Sequence, residues 1–371
     1  MQIIAGLIGV VLIALTLWDV FVVMVLTRRA SRRLQLTTFL TYIFRWVYRA
    51  VARRVDDRTS RERYLSMSGP ILLFARFGVW AVVVIFGFAL LQWAAGSRIA
   101  APDGSASFGT ILYFSATTFF TVALGNVTPE ALLPRILNIL EAATGFLFLG
   151  LVISYLPVFY TDYSDREARL TMLDEWAGTP PSAGELLRRL GHDRALAALD
   201  PFLQDWEVWS AEVLESHLSY PILALFRSQH ENQSWVAALA AILDVSALVL
   251  VGIDGVNPRA ARLTFAMARH TAVDLGQALG NPRQKVVLDR LPPGELARLR
   301  SMLKSHGVNL SDGATADAKL LELRGLYEPY INALSKALFM ELPAWLPDED
   351  AVDNWQKTAF FSTLPHDQRN E

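Results

Sequence analysis

The sequence predicts an all-α membrane protein with three transmembrane helices, a re-entrant segment between the second and third, and an α-helical cytoplasmic domain. Three observations carry this expectation. Of 371 residues, 53% are hydrophobic, and the mean hydropathy of +0.30 is too apolar for an ordinary soluble chain. Charge is divided unevenly: residues 1–163 hold fourteen Arg, no Lys and eight acidic residues, net +6, whereas the remainder holds twenty basic and twenty-eight acidic residues, net −8. Helix starts recur along the second part, and period-two strand patterns are scarce.

The whole-chain pI near 6.3 hides this asymmetry and gives no support for nucleic acid as a partner. Cysteine is absent, which excludes a disulfide framework, a thiolate nucleophile and cysteine-based metal sites.

Residues 3 to 27 are apolar apart from Thr16, Asp19 and Thr27, long enough to cross a hydrocarbon core of about 30 Å. The N-terminus lacks the charged region and small-residue cleavage site of a signal peptide, so residues 1–27 are read as a retained first span. Residues 28–69 form a basic linker, with eleven Arg between 28 and 63; the positive-inside rule places it in the cytoplasm and the N-terminus outside. Within it, Phe39, Tyr42, Ile43, Trp46, Val47 and Ala50 fall on one helical stripe, with Arg45, Arg49, Arg53 and Arg54 elsewhere. Such a helix lies at an anionic lipid surface or packs its stripe on the protein's own spans, and the pattern alone does not choose.

The second span runs from about Pro70 to Ala95 with Arg76 as its charge, and the third from about Pro134 to Tyr160 with Glu141 as its interior charge. The outer connection contains its own apolar run, residues 108 to 120, too short to cross and suited to re-entry. A domain of residues 70–162 is therefore followed by a helical cytoplasmic domain, residues 163–371. Ser182 with Glu185 has the capping-box pattern, and Asp200–Pro201 and Asn257–Pro258 are helix starts. Residues 234–254 are apolar enough to pass for a fourth span, but Asp244 at their centre favours a buried core helix.

The second domain offers little chemistry. Its glycine turn near Gly252 and Gly255 lacks a dinucleotide fingerprint, and Trp206, Trp209 and Trp235 fit helix packing. The chain's six histidines, His192, His217, His230, His270, His306 and His366, have no metal-ligand spacing. With no catalytic cluster, the chain is not expected to be an enzyme and needs no cofactor.

An apolar span, a short re-entrant helix, a T-V-x-x-G turn and a further span is the layout of a pore loop. The stretch YFSATTFFTVALGN, residues 113–126, resembles the pore helix and T-V-G-Y-G-D filter of the potassium channel superfamily, of the bacterial two-span type. The resemblance implies a homotetramer, with Tyr113 and Phe114 as the aromatic pair. It makes Thr121, Val122, Ala123, Leu124, Gly125 and Asn126 the selectivity filter, with K+ or another monovalent cation as permeant ion at the carbonyls of Thr121, Val122, Ala123 and Leu124. Physics agrees: inward backbone carbonyls replace an ion's hydration shell without trapping it, and the preceding helix points its negative end at the cavity.

By the same resemblance, Glu141 braces the filter through pore-helix hydroxyls such as Thr117 or Thr118, and Gly145 is a gating hinge. Packing is the competing reading for Gly145. Ala123 stands where the family has a glycine, so any positive φ there costs about 1–2 kcal/mol. Leu124 replaces the bracing tyrosine and leaves Tyr113 without that partner, and Asn126 replaces an acid at the mouth. These departures leave three readings open: a K+ channel, a weakly selective Na+/K+ channel, or a non-conducting scaffold or sensor.

Helical rise puts Asp19 and Arg76 at matching depth, which predicts an intramembrane ion pair docking the first span on the pore module. Thr144, Phe148 and Val152 are expected along the inner vestibule, with Pro157 near its exit. No span carries Arg at every third residue, so steep voltage dependence is not expected. The expected location is the cell's inner membrane, multi-pass, with membrane lipids as partners and the C-terminus in the cytoplasm.

Overall fold

The structure is a computed structural model and describes residues 2–26, 36–55, 57–96, 99–100, 107–122, 124–230, 232–279 and 289–346. Ala123 and His366 lie outside the described residues, as does most of the arginine-rich stretch that precedes residue 36. The chain divides into two compact units, Met1–Thr161 and Asp162–Glu371.

The first unit opens with α1 (Gln2–Met24), whose buried positions Ala5, Gly9, Thr16, Asp19 and Val20 face α4 (Ser68–Ala94). Contact is close because both sides carry glycine: a Cβ on Gly9 would sit 2.6 Å from the Gly87 carbonyl oxygen. Small residues let helix backbones approach where lipid offers no hydrophobic drive to associate. The rest of α1 exposes Ile3, Ile4, Leu7, Val10, Val11 and Leu15, the all-round apolarity of a span. Between these helices come α2 (Leu36–Ala52) and α3 (Arg58–Ser66), the latter N-capped by Asp57.

After α4, a two-residue strand β1 (Ile99–Ala100) pairs antiparallel with β2 (Thr128–Pro129), bracketing α5 (Phe108–Phe119). Ser107 caps α5 by accepting from Thr110 N at 3.2 Å. Its positions Ile111, Phe114, Ser115 and Phe119 are buried at the i, i+3, i+4, i+8 spacing of one helical face. Next comes α6 (Leu132–Ala177), which continues well past the span expected to end at Tyr160. Residues 161–177 hold no glycine or proline, so nothing ends the helix before Gly178, whose φ is 75°.

Among the described residues the second unit is built from helices, with α7 (Ala183–His192), α8 (Leu199–Ser219), α9 (Trp235–Gly252), α10 (Pro258–Ala278), α11 (Pro293–Ser305) and α12 (Ala314–Leu338). Ser182 accepts from Glu185 N, but the Glu185 carboxylate turns to Arg188 and Arg189 rather than completing a capping box. Those two guanidinium groups overcome the effect of burial and hold its pKa below the ordinary value.

Among the described residues, four helices are long and apolar enough to cross a membrane: α1, the helix ending at Ala94, α6 and α9. The last differs in kind. Its 18-residue apolar window is 89% buried, packed among α7, α8, α10 and α12. Asp244 at its centre is met by Arg290 at 2.8 and 2.9 Å and by the Tyr327 hydroxyl. A buried carboxylate persists when paired and hydrogen-bonded in this way.

The network extends through Glu328 and Arg324 to Asp289, and Arg290 and Arg324 both lie over the Trp345 ring. Burial, and then the Asp244 charge, push the Tyr327 hydroxyl well above its usual range. Burial raises Glu328 despite the two guanidinium groups.

Elsewhere in this unit, Arg166 contacts His217 Nε2 at 3.2 Å and donates to the carbonyls of Leu223 and Phe226. A guanidinium only donates, so His217 accepts and is neutral. Burial, and then Arg166, hold it well below the usual histidine range. The rings of His192 and His306, distant in sequence, approach to 6.2 Å. Among the described residues no group of three or more His, Cys, Asp or Glu is placed to hold a metal.

Candidate pore site

The site is assembled by one stripe of α6. Asn138, Glu141, Gly145, Phe148, Tyr155 and Phe159 recur at the spacing of a single helical face, and the first four meet α5. Thr118 Oγ1 donates to Asn138 Oδ1 at 2.7 Å. Ser115 Oγ donates to Glu141 Oε1 at 2.6 Å. The carboxylate is fully buried, and its Oε2 has no partner among the described residues.

The sequence placed Glu141 behind the pore helix through Thr117 or Thr118. The hydroxyl that reaches it is Ser115, one turn earlier, while Thr117 Oγ1 donates to Phe114 O within its own helix. Ser115 lies on the buried face with Ile111 and Phe119, and the threonines lie beside it.

Gly145 packs directly under the end of α5. A Cβ there would fall 2.0 Å from the Phe119 carbonyl oxygen, closer than any atom pair tolerates, so this contact requires glycine. Phe148, expected on the vestibule, instead packs against Phe77, Trp80 and Phe119. Gly145 faces the pore helix, and Phe148, three residues on, must follow it.

At its end, α5 closes with a Schellman arrangement. Thr121 N donates to Thr118 O at 3.0 Å and Val122 N to Thr117 O at 2.9 Å, with Thr121 at φ 54°. That conformation is costly for a β-branched residue. Gly125 also takes positive φ, at 71°. Backbone strain was anticipated at Ala123; among the described filter residues the left-handed positions are Thr121 and Gly125. Thr121, Val122, Leu124, Gly125 and Asn126 are all exposed in the single chain, so no packing within it covers them.

Tyr113, expected to lack a partner at position 124, receives a long hydrogen bond of 3.4 Å from Asn126 Nδ2. Phe114 is buried with Ala89, Ile111 and Val127. Gln92, which sequence reasoning passed over, is fully buried and donates to Pro134 O at 3.2 Å. A glutamine one turn from the end of an apolar span was the available signal.

No hydrogen bond or contact ion pair joins Asp19 to Arg76 among the described residues, although the Asp19 charge is near enough to act on the guanidinium. Asp19 Oδ2 accepts from Trp80 Nε1 at 2.8 Å and from Thr37 N at 3.1 Å, and Oδ1 accepts from Thr37 Oγ1 at 2.9 Å. Arg76 is buried too, and its Nε is without a hydrogen bond among the described residues. Depth alone matched the two charges, but Trp80, one helical turn beyond Arg76, reaches the carboxylate first. Asp19 does join the first span to α4, through neutral donors.

Two spans flanking a short capped helix, a turn of exposed backbone and a buried carboxylate brace define a pore module. Residues 78–162 match the protein-family model described as "Ion channel", and this part of the chain is an ion-channel domain of the potassium-channel type. The family matched over these residues is one of ion channels. The chain is also similar to the uncharacterized membrane protein YdjJ of Bacillus subtilis (strain 168), with 21% identity over 214 residues covering 56% of this chain. It spans 60% of that relative's length. No solved structure matches. The protein is a multi-pass membrane protein.

Proposed function

We propose that the protein is a homotetrameric cation channel of the inner membrane that conducts K+ passively through Thr121–Asn126, with its C-terminal unit in the cytoplasm. The observation that carries this reading is the Ser115–Glu141 bond, which fixes the short helix against α6 immediately behind the proposed filter. Cations pass between rings of carbonyls from Thr121, Val122, Ala123 and Leu124 of four subunits.

The tetramer is supported by what one subunit leaves uncovered. Only 11% of the α6 apolar window is buried in a single chain, against 50% for the span containing α4, and Phe146, Leu147 and Ile153 stand exposed. Neighbouring inner helices and lipid would cover these faces. Gly145 serves in this reading as the point at which α6 flexes under the filter.

A second reading, a weakly selective Na+/K+ channel, is favoured by the left-handed Thr121 together with Leu124 and Asn126. Full-length protein reconstituted in liposomes tests both. Cation flux is expected, with a reversal potential shifted toward the K+ equilibrium value under opposed K+ and Na+ gradients. A reversal potential near zero selects the weakly selective channel, and absence of K+, Na+ and Cs+ flux from assembled tetramers rejects conduction.

A further inference from the structure

The linker helix α2 has two unlike faces. Phe44 stacks on Tyr48 at 4.2 Å, and Tyr48 on Tyr64 of α3 at 4.6 Å; Thr37 and Ala52 are buried on the same side. The other side carries the stripe singled out in the sequence. Phe39, Tyr42, Ile43, Trp46 and Val47 are 66, 71, 42, 66 and 41% exposed. Within a single chain the stripe faces outward, and none of the described spans covers it.

Two further observations say what does. Residues 28–55 contain eight arginines and no acidic residue, so a second copy of this segment would meet it with like charge, whereas an anionic surface would attract it. Tyr and Trp are also suited to the headgroup layer, where one end of the ring is apolar and the other wet.

The Asp19 contacts set the depth. Asp19 precedes Met24, the end of α1, by five residues, about 7–8 Å of helix. Its carboxylate holds Thr37 N and Oγ1, in the first turn of α2, and Trp80 of α4. A carboxylate at a helix N-terminus satisfies free N–H groups and favours the dipole. Here it comes from a different helix and ties α2 to both spans within the membrane margin, where interfacial helices bury their apolar face.

We infer that the Phe39–Val47 stripe of α2 docks on an anionic leaflet, and that Asp19 latches this lipid-facing helix to α1 and α4. The inference stands whether or not the protein conducts ions.

The absence of cysteine makes the test direct. Single nitroxide labels go on Tyr42→Cys and Trp46→Cys, with Leu321→Cys in the second unit as an aqueous reference. Full-length protein is placed in vesicles of phosphatidylcholine alone or equimolar phosphatidylcholine and phosphatidylglycerol. In the anionic vesicles both α2 labels are expected to relax more with oxygen than with a nickel chelate, the reverse of the label at Leu321. Nickel access should rise severalfold without phosphatidylglycerol.

Shielding from both reagents, as a second copy covering the stripe would give, overturns the docking. So does dominant nickel access in both vesicles, and oxygen-dominated access in both overturns the anionic preference. Asp19→Asn and Thr37→Val, tested separately so that one misfolded variant does not decide the matter, should each make the Tyr42→Cys label shallower. Unchanged depth in both overturns the latch.

Discussion

In the first unit the buried carboxylates Asp19 and Glu141 are held by neutral donors, a threonine, an indole and a serine; in the second, Asp244 and Glu328 are held by Arg290 and Arg324. The apolar helices differ in parallel. α1 exposes its large side chains, whereas α9, equally hydrophobic, buries nearly all of its own. Mean hydropathy therefore does not separate a span from a core helix. The separating feature is what meets the polar residue inside each. α9 carries a charge that a guanidinium 46 residues away neutralises, and the helices around it do what lipid does for α1.

This contrast can be broken most severely at Arg290. Arg290→Met takes the guanidinium partner from buried Asp244 and leaves it the Tyr327 hydroxyl, while Glu328 keeps Arg324; removal of one partner from a buried pair costs about 3–5 kcal/mol. Denaturant unfolding of the full chain followed by tryptophan fluorescence measures it; a loss under about 1 kcal/mol, the range of surface pairs, would mean the network is not structural. In the first unit, Gly145→Ala forces a methyl onto Phe119 O and is expected to cost about 1–3 kcal/mol through overpacking. Thermal stability and liposome flux should both fall. Gly150→Ala, with nothing within 4 Å of its added Cβ, should leave them unchanged.

A smaller effect distinguishes the hydroxyls behind the filter. Ser115→Ala leaves Glu141 Oε1 without its donor, about 1–3 kcal/mol for a buried unsatisfied group, whereas Thr117→Ala removes only a bond within α5. Equal thermal shifts for the two would return the brace to the threonines. The smallest effect is a slope in pH. His217 is held neutral below its ordinary range, so the unfolded chain takes up a proton first as pH falls through about 6.5, and stability is then lost. The slope is at most about 1.4 kcal/mol per pH unit for one proton. Unfolding midpoints between neutral and mildly acidic pH should flatten in His217→Gln.

Much of this was legible in the sequence, because apolar runs and their charges are local. The first, second and third spans, the short helix at Phe108–Phe119 and the Ser182 and Asn257 caps need only neighbours along the chain. Polar partners are set by facing sides of different helices. Glu141 could be assigned to the pore helix but not to Ser115 rather than Thr117. Asp19 was matched by depth to Arg76 because nothing in one sequence reveals that α2 folds back to bring Thr37 beneath it. The Arg290–Asp244 pair had no local signal at all.

The Gly145 contact also fixes a rotational register. Successive residues on α6 are about 100° apart around its axis, so turning the helix by one position would present Thr144 or Phe146 to the Phe119 carbonyl in place of a hydrogen atom. Neither side chain fits where a Cβ alone lands at 2.0 Å. The inner helix is thus keyed to the pore helix two residues before Thr121. A twist of α6 of that size must either be blocked there or be transmitted to the first residue of the filter.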